Sequence, residues 1–256
     1  MSSRNIVRNV HDSDTKEFVR ALESLSRTRH RWDAFRDWTE MAACTFYNNL
    51  FHDPKIEVEY LACANRYNSD ELRTMGEMLG MVISALSAGP RDFMGEVFSG
   101  SLLMNEHHGQ FFTPYTLSLM IAKMAITEDN LPRGKIITIS EPSCGAGGMV
   151  IAAAEVMAEL GINYAADVYF EARDLDPICV HMAYIQMTAL GIAGEVICGN
   201  TLTLETSWKW PTAAYMLNLV GPRLAAQRQR ETEEGAAPQK PIKIGPQIGL
   251  FEEVSA

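Results

Sequence analysis

Glu141-Pro142-Ser143-Cys144-Gly145-Ala146-Gly147-Gly148 stands between the apolar run Ile136-Ile137-Thr138-Ile139-Ser140 and the sequence Met149-Val150-Ile151. The first flank is short and β-branched and the second opens a longer helical pattern, so the octapeptide reads as a turn from a strand into a helix. Glycines in such a turn let a ligand approach the backbone closely. The first N–H groups of the helix also favour a nearby carboxylate or phosphate. A dinucleotide pattern of the G-x-G-x-x-G kind needs a small third residue where Val150 stands, which counts against a nicotinamide cofactor.

Downstream, short apolar runs at 136–140, 168–172, 195–198 and 214–219 alternate with helical stretches near 149–160 and 177–190. That alternation predicts an α/β fold with a parallel sheet of about four strands and crossover helices. The second run ends in Glu171-Ala172-Arg173-Asp174-Leu175-Asp176-Pro177. An acidic side chain there can accept both hydroxyls of an adenosine ribose, and Asp174 is the candidate. The third ends in Cys198-Gly199-Asn200-Thr201-Leu202, which places a side-chain amide at the same carboxyl edge.

Upstream, the periodicity is helical. Asp14 and Glu17 are spaced as a capping box ahead of Phe18, Val19, Leu22 and Leu25. Residues 32–51 put Trp32, Phe35, Trp38, Ala42 and Phe46 on one face, with Pro54 marking the break after them. Asn68 or Ser69 caps a further helix through Met75, Met78, Val82 and Leu86, stopped by Gly89-Pro90. After Arg223 the composition turns to Gln, Arg, Glu, Pro and Gly without apolar period. The predicted organisation is an all-α N-terminal domain over 1–108, an α/β core over 109–223 and a flexible tail over 224–256.

A net charge of -10 weighs against holding duplex DNA unaided, which usually takes clustered Lys and Arg. Five scattered cysteines without a C-x-x-C spacing suggest neither a disulfide framework nor a metal site, and a reducing cytoplasm fits them best. No apolar run approaches the roughly 20 residues of a membrane helix, so the chain is expected to be neither secreted nor membrane-bound.

Gly109-Gln110-Phe111-Phe112-Thr113-Pro114 followed by the octapeptide at 141–148 resembles, in order and spacing, the paired signatures of the type I restriction-modification adenine-N6 DNA methylases. The similarity runs from Asp92-Phe93-Met94-Gly95 through Asp174-Leu175-Asp176-Pro177 to Gly199-Asn200-Thr201-Leu202. The resemblance implies a Rossmann-like class I methyltransferase core with S-adenosylmethionine as cofactor and DNA as substrate. Phe112, Thr113 and Pro114 would cover the methionine end. Glu141, Gly145 and Gly147 would shape the turn, Asp174 would bind the ribose, and Asp176 would lie near the adenine. Asn200 stands where the family usually has Asp, and it would accept from the adenine amino group through its carbonyl oxygen.

The family's Asn/Asp-Pro-Pro-Phe/Tyr loop after the fourth strand, which holds a flipped adenine, is absent. The nearest stretch is 214–222, where Asn218 is a weak catalytic candidate with an ordinary turn as its simpler reading. A seven-stranded sheet would not fit in the residues that remain, so a shortened one is expected. Two functions follow: an adenine-N6 methyltransferase or its cofactor subunit, with a partner subunit reading the DNA, or a degenerate relative that binds without transferring methyl groups. In the tail, Gln247-Ile248-Gly249-Leu250-Phe251 resembles the pentapeptide that engages the bacterial sliding clamp, through Gln247, Leu250 and Phe251.

Overall fold

Strands β1 (Ile137–Glu141), β2 (Val168–Asp174) and β3 (Gly194–Gly199) are nearly continuous runs of buried residues, as a parallel sheet covered on both faces requires. In the computed structural model, which describes residues 3–26, 29–100, 112–132, 134–235 and 239–244, they pair in parallel. Ile137 lies opposite Val168 and Phe170 opposite Gly194. The order is β4-β3-β2-β1-β5. β4 (Thr206–Pro211) is an antiparallel edge strand on β3, and β5 (Ile242–Lys243) runs parallel to β1 on the side away from β2. From β1 the chain runs outward through β2 and β3 on one side and returns as β5 on the other, so the strand order reverses at β1, and ligands of open α/β sheets bind at the carboxyl edge at such a switch point.

Helices α1 (Ser3–Leu25), α2 (Arg31–Phe51), α3 (Pro54–Ala64), α4 (Ser69–Ser87) and α5 (Phe93–Gly100) precede the sheet. Asn68 caps α4, accepting from Asp70 N and Glu71 N, while the Glu71 side chain accepts from Asn68 N. Asp14 lies inside α1 and pairs with Arg91 at 3.8 Å, so the spacing that suggested a helix start there does not mark one. Phe18, Trp38 and Phe93 meet edge to face. Trp38 Nε1 donates to the Met75 carbonyl at 3.1 Å. Through α2 and α5 these helices lie on α8 (Pro177–Ala189), so their aromatics and one face of the sheet share a single hydrophobic core. No described helix is long and apolar enough to cross a membrane.

The other face is covered by α9 (Ala213–Leu217) and α10 (Val220–Glu233), over a small cluster that includes Ile136, Tyr169, Ala214, Val220 and Leu224. Here the structure corrects the sequence reading. Residues 214–219, expected as a strand, form a short helix and its end, because Thr212 caps it and accepts from Tyr215 N, leaving Leu217 74% exposed. A short apolar run does not reveal its period. The strand lies just before it, where Thr206, Trp208 and Trp210 alternate.

The stretch from residue 224, expected as a flexible tail, carries most of α10 and all of β5. Leu224 and Ile244 there are buried but too widely spaced to show a period. Gln227 accepts from Ile136 N at 2.7 Å and Lys135 pairs with Glu231 at 2.9 Å, which ties α10 to the approach to β1.

Candidate functional site

The turn after β1 is held from both sides. Cys144 N donates to the Arg173 carbonyl on β2, and Gly147 N donates back to the Cys144 carbonyl, both at 2.8 Å. Gly145 and Gly147 take φ of 53° and 95°, where side chains are strained. A Cβ on Gly145 would stand 3.0 Å from the Phe112 ring, and one on Gly147 would stand 3.3 Å from Ala183 on α8. The Phe112 ring therefore rests on bare backbone, which joins the two sequence signatures physically. From Gly147 the chain enters α7 (Gly148–Glu159).

Above the turn is a cavity of about 240 Å³, lined by Phe112, Thr113, Ser118, Glu141, Gly145 and Asp174 among others. Asp174 Oδ2 accepts from Gly145 N at 2.9 Å and Oδ1 accepts from Asp176 N at 3.0 Å. A carboxylate has about four acceptor positions, so room remains for a pair of hydroxyls. Glu141 is 1% exposed. Its Oε1 accepts from Ser143 N at 3.0 Å, and its Oε2 is buried without a partner among the described residues. Burial pushes the Glu141 carboxyl up to about 8 and moves Asp174 in the same direction.

These features fit S-adenosylmethionine. The glycine turn leaves space against the backbone, Asp174 offers acceptors for the ribose hydroxyls, and the unpartnered oxygen of the lining residue Glu141 suits a ligand with cationic groups. Among the described residues, no Lys, Arg or His lines the cavity.

Of the residues expected at the site, Phe112, Thr113, Glu141, Gly145 and Asp174 come together on this cavity, with Gly147 in the turn that floors it. Pro114 is the exposed residue before α6 (Tyr115–Ala125) and lies off the lining. Asp176 caps α8, accepting from Ile178 N at 2.9 Å. The Asn200 carbonyl oxygen accepts from Leu202 N at 2.8 Å and Thr203 N at 3.3 Å, so the acceptor expected to meet an adenine amino group already serves its own loop.

Asn218 ends α9 and donates to the Ala165 and Ala214 carbonyls at 2.9 and 3.1 Å. Ala165 precedes β2, so Asn218 sits at the amino edge of the sheet, away from the cavity. The strand flanking β1 at the switch point is β5, and the sequence after it is Ile244-Gly245-Pro246-Gln247, with one proline and no aromatic. Gln247, Leu250 and Phe251 lie outside the described residues.

Three residues were not foreseen as part of the site. Asp92 and Ser118 are buried on the cavity wall. Gln186, fully buried on α8, donates to Asp92 Oδ1 at 2.8 Å and to the Ala146 carbonyl at 2.7 Å, and accepts from Met94 N at 3.1 Å. A lone glutamine among Met182, Ala183, Tyr184, Ile185 and Met187 was the signal available. Away from the cavity, Asp37, Glu40 and Cys63 bring possible metal-binding atoms within 4.8 Å of one another. Asp37, however, is engaged by Arg36, Arg66 and the Tyr67 hydroxyl, a paired buried charge without need of an ion.

The family described as N-6 DNA methylase matches residues 90–218, half of the chain. Among solved structures, a class I S-adenosylmethionine-dependent methyltransferase from Listeria monocytogenes is similar at 13% identity and a TM-score of 0.43, over 75% of this chain. The chain spans 55% of the length of that structure. No curated protein matches.

Proposed function

From the premise that this chain belongs to the N-6 DNA methylase family, we propose that it is an adenine-N6 DNA methyltransferase of restriction-modification type, or its cofactor-binding subunit. S-adenosylmethionine is the cofactor, and when bound it supplies an activated methyl group. The observation that carries the reading is the cavity in which Phe112 rests on Gly145, with the buried carboxylate of Glu141 and the half-buried one of Asp174 on its lining. Asp174 binds the ribose hydroxyls, while Phe112 and Thr113 close the methionine side and exclude water.

The substrate side supports a partner. The chain carries a net charge of -10 and no Asn/Asp-Pro-Pro-Phe/Tyr sequence, so grip on DNA and capture of the target base come from another subunit. The same missing tetrapeptide supports a second reading, a degenerate relative that binds cofactor or protein without transfer.

Calorimetry with S-adenosylmethionine, followed by methyl incorporation into DNA with and without partner subunits, separates these readings. Incorporation abolished by Asp174→Ala supports the first. Binding without incorporation in any combination supports the second, and absence of binding overturns the first and leaves the second only as a protein-binding relative. Docking of Gln247, Leu250 and Phe251 on a sliding clamp is tested by pull-down. Equal recovery with a Leu250→Ala, Phe251→Ala double variant ends that idea.

A further inference from the structure

We propose that Asp92 and Ser118 form the end of the cavity that receives the ammonium group of the cofactor's amino-acid moiety. The assignment rests on the reading that this cavity binds S-adenosylmethionine.

The Ser118 hydroxyl is buried, lines the cavity and has no hydrogen-bond partner among the described residues. It lies in the first turns of α6, just after Thr113 and Pro114, and its backbone N–H already donates to the Pro114 carbonyl at 3.0 Å. A buried hydroxyl without a partner is uncommon in folded chains, and one that faces a cavity is suited to a polar group arriving there.

Asp92 lines the same cavity and is 4% exposed. Both hydrogen bonds to its carboxylate fall on Oδ1, from Gly95 N at 2.9 Å and Gln186 Nε2 at 2.8 Å. Among the described residues none reaches Oδ2. That oxygen lies between two glycines: a Cβ would come within 2.1 Å of it from Gly95 and 2.6 Å from Gly148. Gly148 begins α7, so the missing side chain lets the carboxylate sit against the glycine-rich turn. Gln186 bridges Asp92 to Ala146 and thereby sets the carboxylate's position relative to that turn; it is a positioning residue.

With no basic side chain among the described residues of the lining, these acceptors suit a cation. An ammonium brings three donors, and Asp92 Oδ2 and Ser118 Oγ offer two acceptors. The adenosine then falls to the other part of the lining, where Asp174 and Cys179 stand.

The test is calorimetry on the full chain with two ligands: S-adenosylmethionine, and methylthioadenosine, which keeps the adenosine and sulfur but has no amino acid. Asp92→Asn preserves an Oδ1 acceptor for Gly95 and Gln186 and replaces only the second oxygen by a donor. It is expected to weaken S-adenosylmethionine by about tenfold or more, as loss of a charge-assisted bond does, and to leave methylthioadenosine within about twofold. Ser118→Ala is expected to weaken the first ligand by about threefold to tenfold with the second again unchanged, and it carries the test if Asp92→Asn does not fold. If the unmodified chain binds and the variants lose both ligands equally, or lose neither, the assignment is overturned while the cofactor reading stands. If the unmodified chain binds no S-adenosylmethionine, both fall.

Discussion

At the carboxyl edge of the sheet, Asp92 and Glu141 are 4% and 1% exposed and Asp174 is drawn in beside them, all on one small cavity. At the amino edge, around α9, Met216, Leu217 and Leu219 are 41%, 74% and 60% exposed, and Asn218 bonds only to backbone carbonyls. Burying carboxylates without cations costs free energy, and a fold that does so repeatedly in one place is shaped for something other than its own stability. The amino edge carries no such burden, so its polar side chain caps a helix. Among the described residues, the features of the candidate site are therefore concentrated on one edge of the sheet.

The contrast is broken most directly at Asp174. Asp174→Ala removes two prospective ribose bonds and the support of Gly145 N, and is expected to raise the cofactor Kd by about 100-fold, measured by calorimetry. Gly145→Ala comes next. A side chain at φ 53° costs about 1–2 kcal/mol before the Phe112 ring is moved, which corresponds to a melting point lower by about 2–8 °C and roughly tenfold weaker cofactor binding.

Glu141 sharpens the contrast through pH. Its folded value of about 8 lies above the ordinary 4.5, so its contribution to stability is full below about pH 4.5 and is lost as pH rises through about 8. Thermal melts of the ligand-free Glu141→Gln variant are expected to show a flatter pH dependence across that window. A cation favours the ionised carboxyl, so S-adenosylmethionine binding should tighten as pH rises towards about 8, with proton release visible as buffer-dependent heat. The smallest effect belongs to the other edge. Asn218→Ala is expected to lower stability by about 1 kcal/mol and to leave the cofactor Kd unchanged.

How much of this could be read in advance depended on the range of the interactions involved. β1, β2 and β3 were legible because each is a buried apolar run ending in polar residues. β5 was not, because two residues form a strand only when β1 offers them a partner. The strand expected at 214–219 failed because a short apolar run suits either period, and it was the cap supplied by Thr212 that decided it.

The sequence by itself determined the strand-to-helix turn at 141–148 and the acidic end of β2, since a left-handed glycine and a strand-end carboxylate are local properties. Only the tertiary structure decided that Phe112 lies on Gly145, that Asn200 is engaged by its own loop and that Asn218 faces the wrong edge. It alone brought Asp92 to Gln186, 94 residues away, and set Ser118 and Asp92 on one cavity. Those residues have no shared local pattern, because what relates them is the packing of α5, α6 and α8 around one turn.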